Sequence, residues 1–257
     1  MAILFLLFAA CVTGSPVAAQ VYEATYQADI FTINGKPRSG EVHLRFTGRE
    51  ALFYHPSWPE TTEYTAKGMA TSFVIGDPEG MPVYTSLPDG TQQYKTDYSA
   101  PDTGPFLFTD SIPHVDWQLL PESDTVAGLP VAHASGTYGG PLYDVWYAPD
   151  VPVPFGPYRF GGLPGLIVKI GSADGLVGYR LTGLGEAPPD TAPPAPPRRG
   201  QPMTDAEFER YIINRLLQVE SLSTASVQST NNSPDPNYDI EVDRWDTIRN
   251  YKKDRGY

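Results

Sequence analysis

The chain of 257 residues holds one cysteine, Cys11, which excludes an internal disulfide and any cluster of thiolate metal ligands. No apolar run reaches the length that a membrane-spanning helix needs. Basic residues are scarce: 18 Lys and Arg stand against 30 Asp and Glu, a net charge of −12. That balance argues against nucleic acid as a partner and against charge-driven attachment to an anionic lipid surface. The short catalytic signatures are missing as well. There is no Gly-x-Ser-x-Gly elbow, no His-Glu-x-x-His helix, no phosphate-cradling loop and no calcium loop. No cofactor is expected on these grounds.

What the chain has in quantity is turn and strand material: 27 Pro, 24 Gly, 16 Tyr and 11 Phe, a mixture that reads as β-rich. Alternation starts early. Tyr22, Ala24, Tyr26, Ala28 and Ile30 share one face of a strand, Asn34-Gly35 supplies a hairpin turn, and Val42, Leu44 and Phe46 point inward from the return strand. Short strands are predicted over 51–54, 71–75, 81–86, 92–96, 106–109, 115–120, 131–138, 142–147, 163–170 and 176–184. Connections this short suit an antiparallel meander and not parallel crossovers. Glu122-Ser123-Asp124 reads as a turn.

The two ends differ from this middle. Residues 1–19 have the pattern of a secretory signal: an apolar run Ile3–Val12, then Gly14-Ser15-Pro16, then Val17-Ala18-Ala19 before Gln20. No Lys or Arg precedes the run. Phe8-Ala9-Ala10-Cys11 is the weaker alternative, a lipid-anchor site. Residues 187–202 are rich in Ala-Pro-Pro and read as an extended spacer that forms neither sheet nor helix. A helix is predicted over 205–220, opened by the capping box Thr204-Asp-Ala-Glu207 and striped by Phe208, Tyr211, Ile212, Leu216 and Val219. Residues 221–257 are polar and read as a poorly ordered tail.

The most informative stretch runs from Tyr147 to Ile170. It is crowded with Pro and Gly up to Gly165 and then becomes apolar and β-branched, which marks a loop with a defined path feeding a buried strand. Phe155-Gly156-Pro157 and Gly162-Leu163-Pro164-Gly165-Leu166-Ile167 resemble the signature of the GLPGLI family, as do the upstream Trp117, the small-residue strand 131–138 and the aromatic strand Tyr143–Tyr147. The resemblance covers about residues 105–184. It implies an exported protein of the Gram-negative envelope, without an established activity and without catalytic residues to carry over. Family members often have a cysteine in the strand occupied here by residues 128–133; this chain has none there, which closes a thiol or disulfide role.

The four histidines, His43, His55, His114 and His133, show no metal-ligand spacing in the sequence. His114 and Asp116 share a strand face and form a candidate acid–base pair. Asp144 and Asp150 flank the approach to the motif and read as solvating carboxylates. The candidate ligand-facing residues are Trp146, Tyr147, Phe155, Tyr158, Arg159 and Phe160, which either pack as core over glycines or line a groove. Gly162, Leu163, Pro164, Gly165, Leu166 and Ile167 are expected to be architectural, with Gly165 the candidate for a positive φ in a Pro-Gly turn.

The expectation is a mainly β protein: a curved, half-barrel-like antiparallel sheet over 20–186 with the 203–220 helix packed on it. Its expected role is a non-catalytic binding or accessory module for an apolar or envelope-derived ligand, periplasmic or secreted. The alternatives are a hydrolase-type enzyme with residues from separated strands, or a scaffold for an outer-membrane complex.

Overall fold

The computed structural model describes residues 20–31, 37–55, 60–66, 69–75, 80–96, 105–208, 210, 211 and 214. The expected signal at residues 1–19 with Cys11, the expected Asn34-Gly35 turn, Ile212, Leu216, Val219 and the expected tail over 221–257 lie outside the described residues.

The strands are β1 (Tyr22–Phe31), β2 (Pro37–Phe46), β3 (Glu50–His55), β4 (Glu60–Ala66), β5 (Met69–Ile75), β6 (Met81–Ser86) and β7 (Thr91–Thr96). They continue as β8 (Phe106–Ser111), β9 (Gln118–Val126), β10 (Leu129–Thr137), β11 (Leu142–Ala148), β12 (Leu166–Ser172), β13 (Val177–Glu186) and β14 (Gln201–Pro202). All but β4 and β5, which pair with each other, join one sheet of 12 strands in the order β14-β8-β7-β6-β3-β2-β1-β13-β12-β11-β10-β9. The protein is mainly β, and its ladders are antiparallel except for β14 beside β8.

The connectivity departs from the single meander expected. One meander runs outward from β1 to β8, with the β4–β5 hairpin as an excursion; a second runs from β9 back to β13, which pairs with β1. Between them the chain passes from one side of the sheet to the far edge. Laid flat, β8 and β9 would be ten neighbour steps apart, about 48 Å at the usual strand spacing. The chain from Ser111 to Gln118 reaches about 25 Å at full stretch. The sheet therefore has to curl, and side chains on its concave face confirm it. Phe53 of β3 and Tyr179 of β13 are three steps apart, about 14 Å when flat, yet their rings meet edge-to-face at 5.9 Å. The Tyr26 hydroxyl of β1 donates to the Ile167 carbonyl of β12 at 2.8 Å.

Period-two burial explains which residues face inward. Ala24, Tyr26 and Ala28; Val42, Leu44 and Phe46; Ala51 and Phe53; and Tyr143, Val145 and Tyr147 are all buried, as alternation predicts. Glu122 and Asp124 were expected in a turn but belong to β9; the tight turn is Ala127-Gly128, after Val126.

The Pro-rich segment also departs from expectation at its end. Gln201 and Pro202 pair in parallel with Phe106 and Leu107, with the Gln201 N–H donating to the Pro105 carbonyl and the Met203 N–H to the Leu107 carbonyl. A segment poor in donors thus covers the β8 side of the sheet, which blunts an edge otherwise open to pairing. The helix then begins as its capping box predicts: Glu207 accepts from the Thr204 N–H at 2.9 Å, and the Glu207 N–H donates back to the Thr204 hydroxyl at 3.3 Å. Its Phe208 is buried edge-on between Phe106 and Phe108, at 5.8 and 5.4 Å.

Candidate functional site

The loop between β11 and β12 fills the curl. Its own backbone is cross-linked: the Leu166 N–H donates to the Val151 carbonyl, the Ile167 N–H to the Phe155 carbonyl, and the Gly162 N–H to the Pro154 carbonyl. Each glycine has a distinct reason. A Cβ on Gly165 would stand 2.3 Å from the Ala148 carbonyl oxygen, on Gly161 2.6 Å from the Pro154 oxygen, and on Gly156 2.8 Å from the Ile167 Cβ. Gly165 does not adopt the positive φ expected of it; Gly162 does, at 85°. Gly165 is required by close approach, not by conformation. Leu163, Leu166 and Ile167 are buried at 2% exposure or less, while Pro164 stays at the surface.

Two side-chain anchors tie this loop to opposite halves of the sheet. On one side, the Trp117 indole N–H, from the segment that crosses between β8 and β9, donates to the Gly161 carbonyl at 2.9 Å. Its ring lies against Gly136 of β10, where a Cβ would meet it at 2.6 Å. Phe160 packs on Tyr143 and Tyr138, at 4.8 and 5.3 Å. On the other side, the Arg159 Nε donates to Gln92 of β7 at 3.1 Å, and its Nη2 to Asp110 of β8 at 3.0 Å. The guanidinium lies 4.2 Å over the Tyr94 ring, and the Tyr94 hydroxyl donates to the same Asp110 oxygen. Gln92 in turn donates to Thr85 and to the Arg159 carbonyl. Arg159 is 7% exposed: it clamps the loop through buried Gln92 and Tyr94 and half-buried Asp110.

Between loop and sheet lies a cleft with about 420 Å³ of empty space, part of it open to solvent. Leu44, Ala51, Phe53 and Val83 form its floor, and Phe155, Tyr158 and Phe160 its loop wall. Of the six residues singled out in the sequence, Tyr147, Phe155, Arg159 and Phe160 are buried, and Trp146 and Tyr158 are half-buried. Phe155, Tyr158 and Phe160 meet at the cleft. Trp146 does not: it belongs to the opposite face of β11, paired in register with His133. The floor residues were missed as site residues. Each is an ordinary inward position of its own strand, with no local mark of the shared cleft.

A second cluster was missed for a similar reason. The His133 ring stacks on the Trp146 indole at 4.3 Å and 6°. Its Nδ1 meets Glu122 at 3.2 Å and its Nε2 meets Asp144 at 2.5 Å. Partial burial alone would lower the His133 pKa, but the hydrogen bonds and charges of Asp144 and Glu122 outweigh it and raise it. Glu122 is shifted down, through its own backbone N–H and then His133. The cluster joins β9, β10 and β11. His114 and Asp116 do meet, at 3.0 Å, but at 88% and 98% exposure the contact is a solvated surface hydrogen bond. Among the described residues no group of three His, Cys, Asp or Glu is placed to hold a metal ion, and no helix is long and apolar enough to cross a membrane.

No family model matches the chain, and no curated protein matches it. The resemblance to the GLPGLI family therefore rests on the motif residues themselves. Among solved structures, the fold is similar to that of PNGF-II in two crystal forms, with TM-scores of 0.52 and 0.51 at 14% identity. The match covers 75% of this chain and spans about a third of PNGF-II, 33% and 32% of the two chains. At this identity the likeness concerns the fold alone.

Proposed function

We propose that this is an exported envelope protein of the GLPGLI type that acts as a non-catalytic binding module for a small apolar ligand. The cleft between the motif loop and the sheet carries this reading. Its lining is mostly apolar; the polar side chains in it, Thr85 and Gln92, are hydrogen-bonded to each other, and Gln92 also to Arg159, which pairs with Asp110 outside the lining. The motif serves this site indirectly: its glycines let the loop seat deep in the curl, and its leucines and isoleucine anchor it.

Native mass spectrometry of the protein purified from the envelope fraction of a Gram-negative host tests the reading. The expected result is an apolar small molecule at one copy per chain, on a protein whose mature N-terminus is Gln20. A chain that carries nothing and takes up no apolar compound would overturn the binding role. A lipidated Cys11 at the N-terminus would overturn the cleavage site.

A further inference from the structure

Two residues other than glycine have a positive φ among those described, and they differ in kind. Ala127 at 49° and Gly128 at 82° are the central pair of the hairpin between β9 and β10, where a type I′ turn demands that conformation of both. Tyr158 at 55° is the first central residue of a different turn, closed by the Phe160 N–H donating to the Pro157 carbonyl at 3.2 Å. Arg159, the second central residue, has no positive φ. A positive φ at the first position alone is the pattern of a type II′ turn, and glycine is the residue that suits it. The loop has glycine at 156, 161 and 162, where close approach or conformation requires it, yet the position that calls for glycine in this turn carries a tyrosine.

The neighbours of Tyr158 hold it there. Arg159 is fixed to Gln92 and Asp110, and Phe160 is fixed against Tyr143 and Tyr138. From 155 to 160, Tyr158 alone is not fully buried, and it lines the cleft opposite the sheet. Backbone strain at such a place is characteristic of residues held ready for a ligand.

We propose that Tyr158 is the ligand-contacting residue of the cleft, and that its ring covers an uncharged apolar ring or chain seated on Leu44, Ala51, Phe53 and Val83. This inference rests on the binding reading above. The requirement for an uncharged ligand follows from the surroundings. Among the described residues that line the cleft none is cationic, and the neighbouring Arg159 guanidinium is paired with Asp110 and faces Tyr94, so a carboxylate or phosphate entering the cleft would be desolvated without a countercharge.

The test measures binding of the neutral fluorophore N-phenylnaphthylamine to the purified protein, with dodecanol and dodecanoate as competitors at neutral pH. Tyr158→Gly removes the ring and suits the backbone; Tyr158→Phe keeps the ring. For Tyr158→Gly the expected result is a melting temperature unchanged or raised by roughly 2–4 °C, with affinity for the fluorophore about tenfold weaker. Tyr158→Phe should bind as the wild type does, and dodecanol should displace the fluorophore where dodecanoate does not. A wild type that fails to bind the fluorophore overturns the binding reading itself. If the wild type binds and Tyr158→Gly binds equally well, the binding reading stands and the role of Tyr158 falls. A lowered melting temperature for Tyr158→Gly would make Tyr158 a packing residue and overturn its role as well. Equal displacement by dodecanoate would overturn the uncharged ligand class.

Discussion

Replacing Arg159 by Ala separates a clamp from a ligand contact. In the structure the side chain, itself buried, donates to buried Gln92 and half-buried Asp110 and covers the face of Tyr94. Removing one partner of a fully buried ion pair costs about 3–5 kcal/mol. Asp110 keeps 30% of its side-chain surface in water, and the Tyr94 hydroxyl still donates to it, so the loss here is smaller. The broken hydrogen bond to Gln92 and the lost cation–π contact add back roughly 1 kcal/mol each. The sum is about 3 kcal/mol, which for a chain of this size lowers the melting temperature by about 6–12 °C. Thermal unfolding followed by circular dichroism reads it directly. A double-mutant cycle of Arg159→Met with Asp110→Asn should give a coupling of about 1–3 kcal/mol. An Arg159→Ala protein that melts within about 1 °C of the wild type would refute the clamp and favour the ligand-contact role.

Three further outcomes follow from the geometry. Gly165→Ala should destabilise by about 1–3 kcal/mol, since its Cβ would stand 2.3 Å from the Ala148 carbonyl oxygen on a backbone pinned by the Leu166–Val151 hydrogen bond; urea unfolding checks it. Phe208→Ala should cost about 3–5 kcal/mol, because its ring is buried against Phe106 and Phe108; the same unfolding assay decides. His133 gives a pH dependence of known sign. Its pKa is raised in the folded state, so its contribution is fully present below the ordinary histidine value of 6.5 and is lost as pH rises through the folded value. The difference in melting temperature between wild type and His133→Gln should shrink across that window; a difference that grows with pH would contradict the cluster.

How much of this was legible in the sequence depends on the range of the interaction. The alternation of Val42, Leu44 and Phe46 and the box at Thr204 and Glu207 are local, and both appear as read. Gly165 was singled out correctly but for the wrong reason, because a clash with the Ala148 carbonyl belongs to the tertiary structure and not to the Pro-Gly dipeptide. Trp117 stood out through the family resemblance, and the structure supplies its physical role, a hydrogen bond to Gly161 across 44 residues. The passage from β8 to β9 could not be read from loop lengths. A short connection suggests a hairpin unless the sheet is already known to curl. The His133 cluster was hidden because β9 carries a bulge opposite Ala132 and His133, which places Glu122 beside an imidazole 11 residues away.

The motif loop and the β2–β3–β6 floor together line the cleft proposed as a binding site. Ala51→Phe tests it most directly, because Ala51 is an inward floor residue and a phenyl ring there occupies the space that a ligand would take. Fluorescence titration with N-phenylnaphthylamine should show one saturable site in the wild type and none in Ala51→Phe, while far-ultraviolet circular dichroism shows both folded. Saturable binding of equal affinity in the two proteins would place the ligand elsewhere and rule out the cleft as its site.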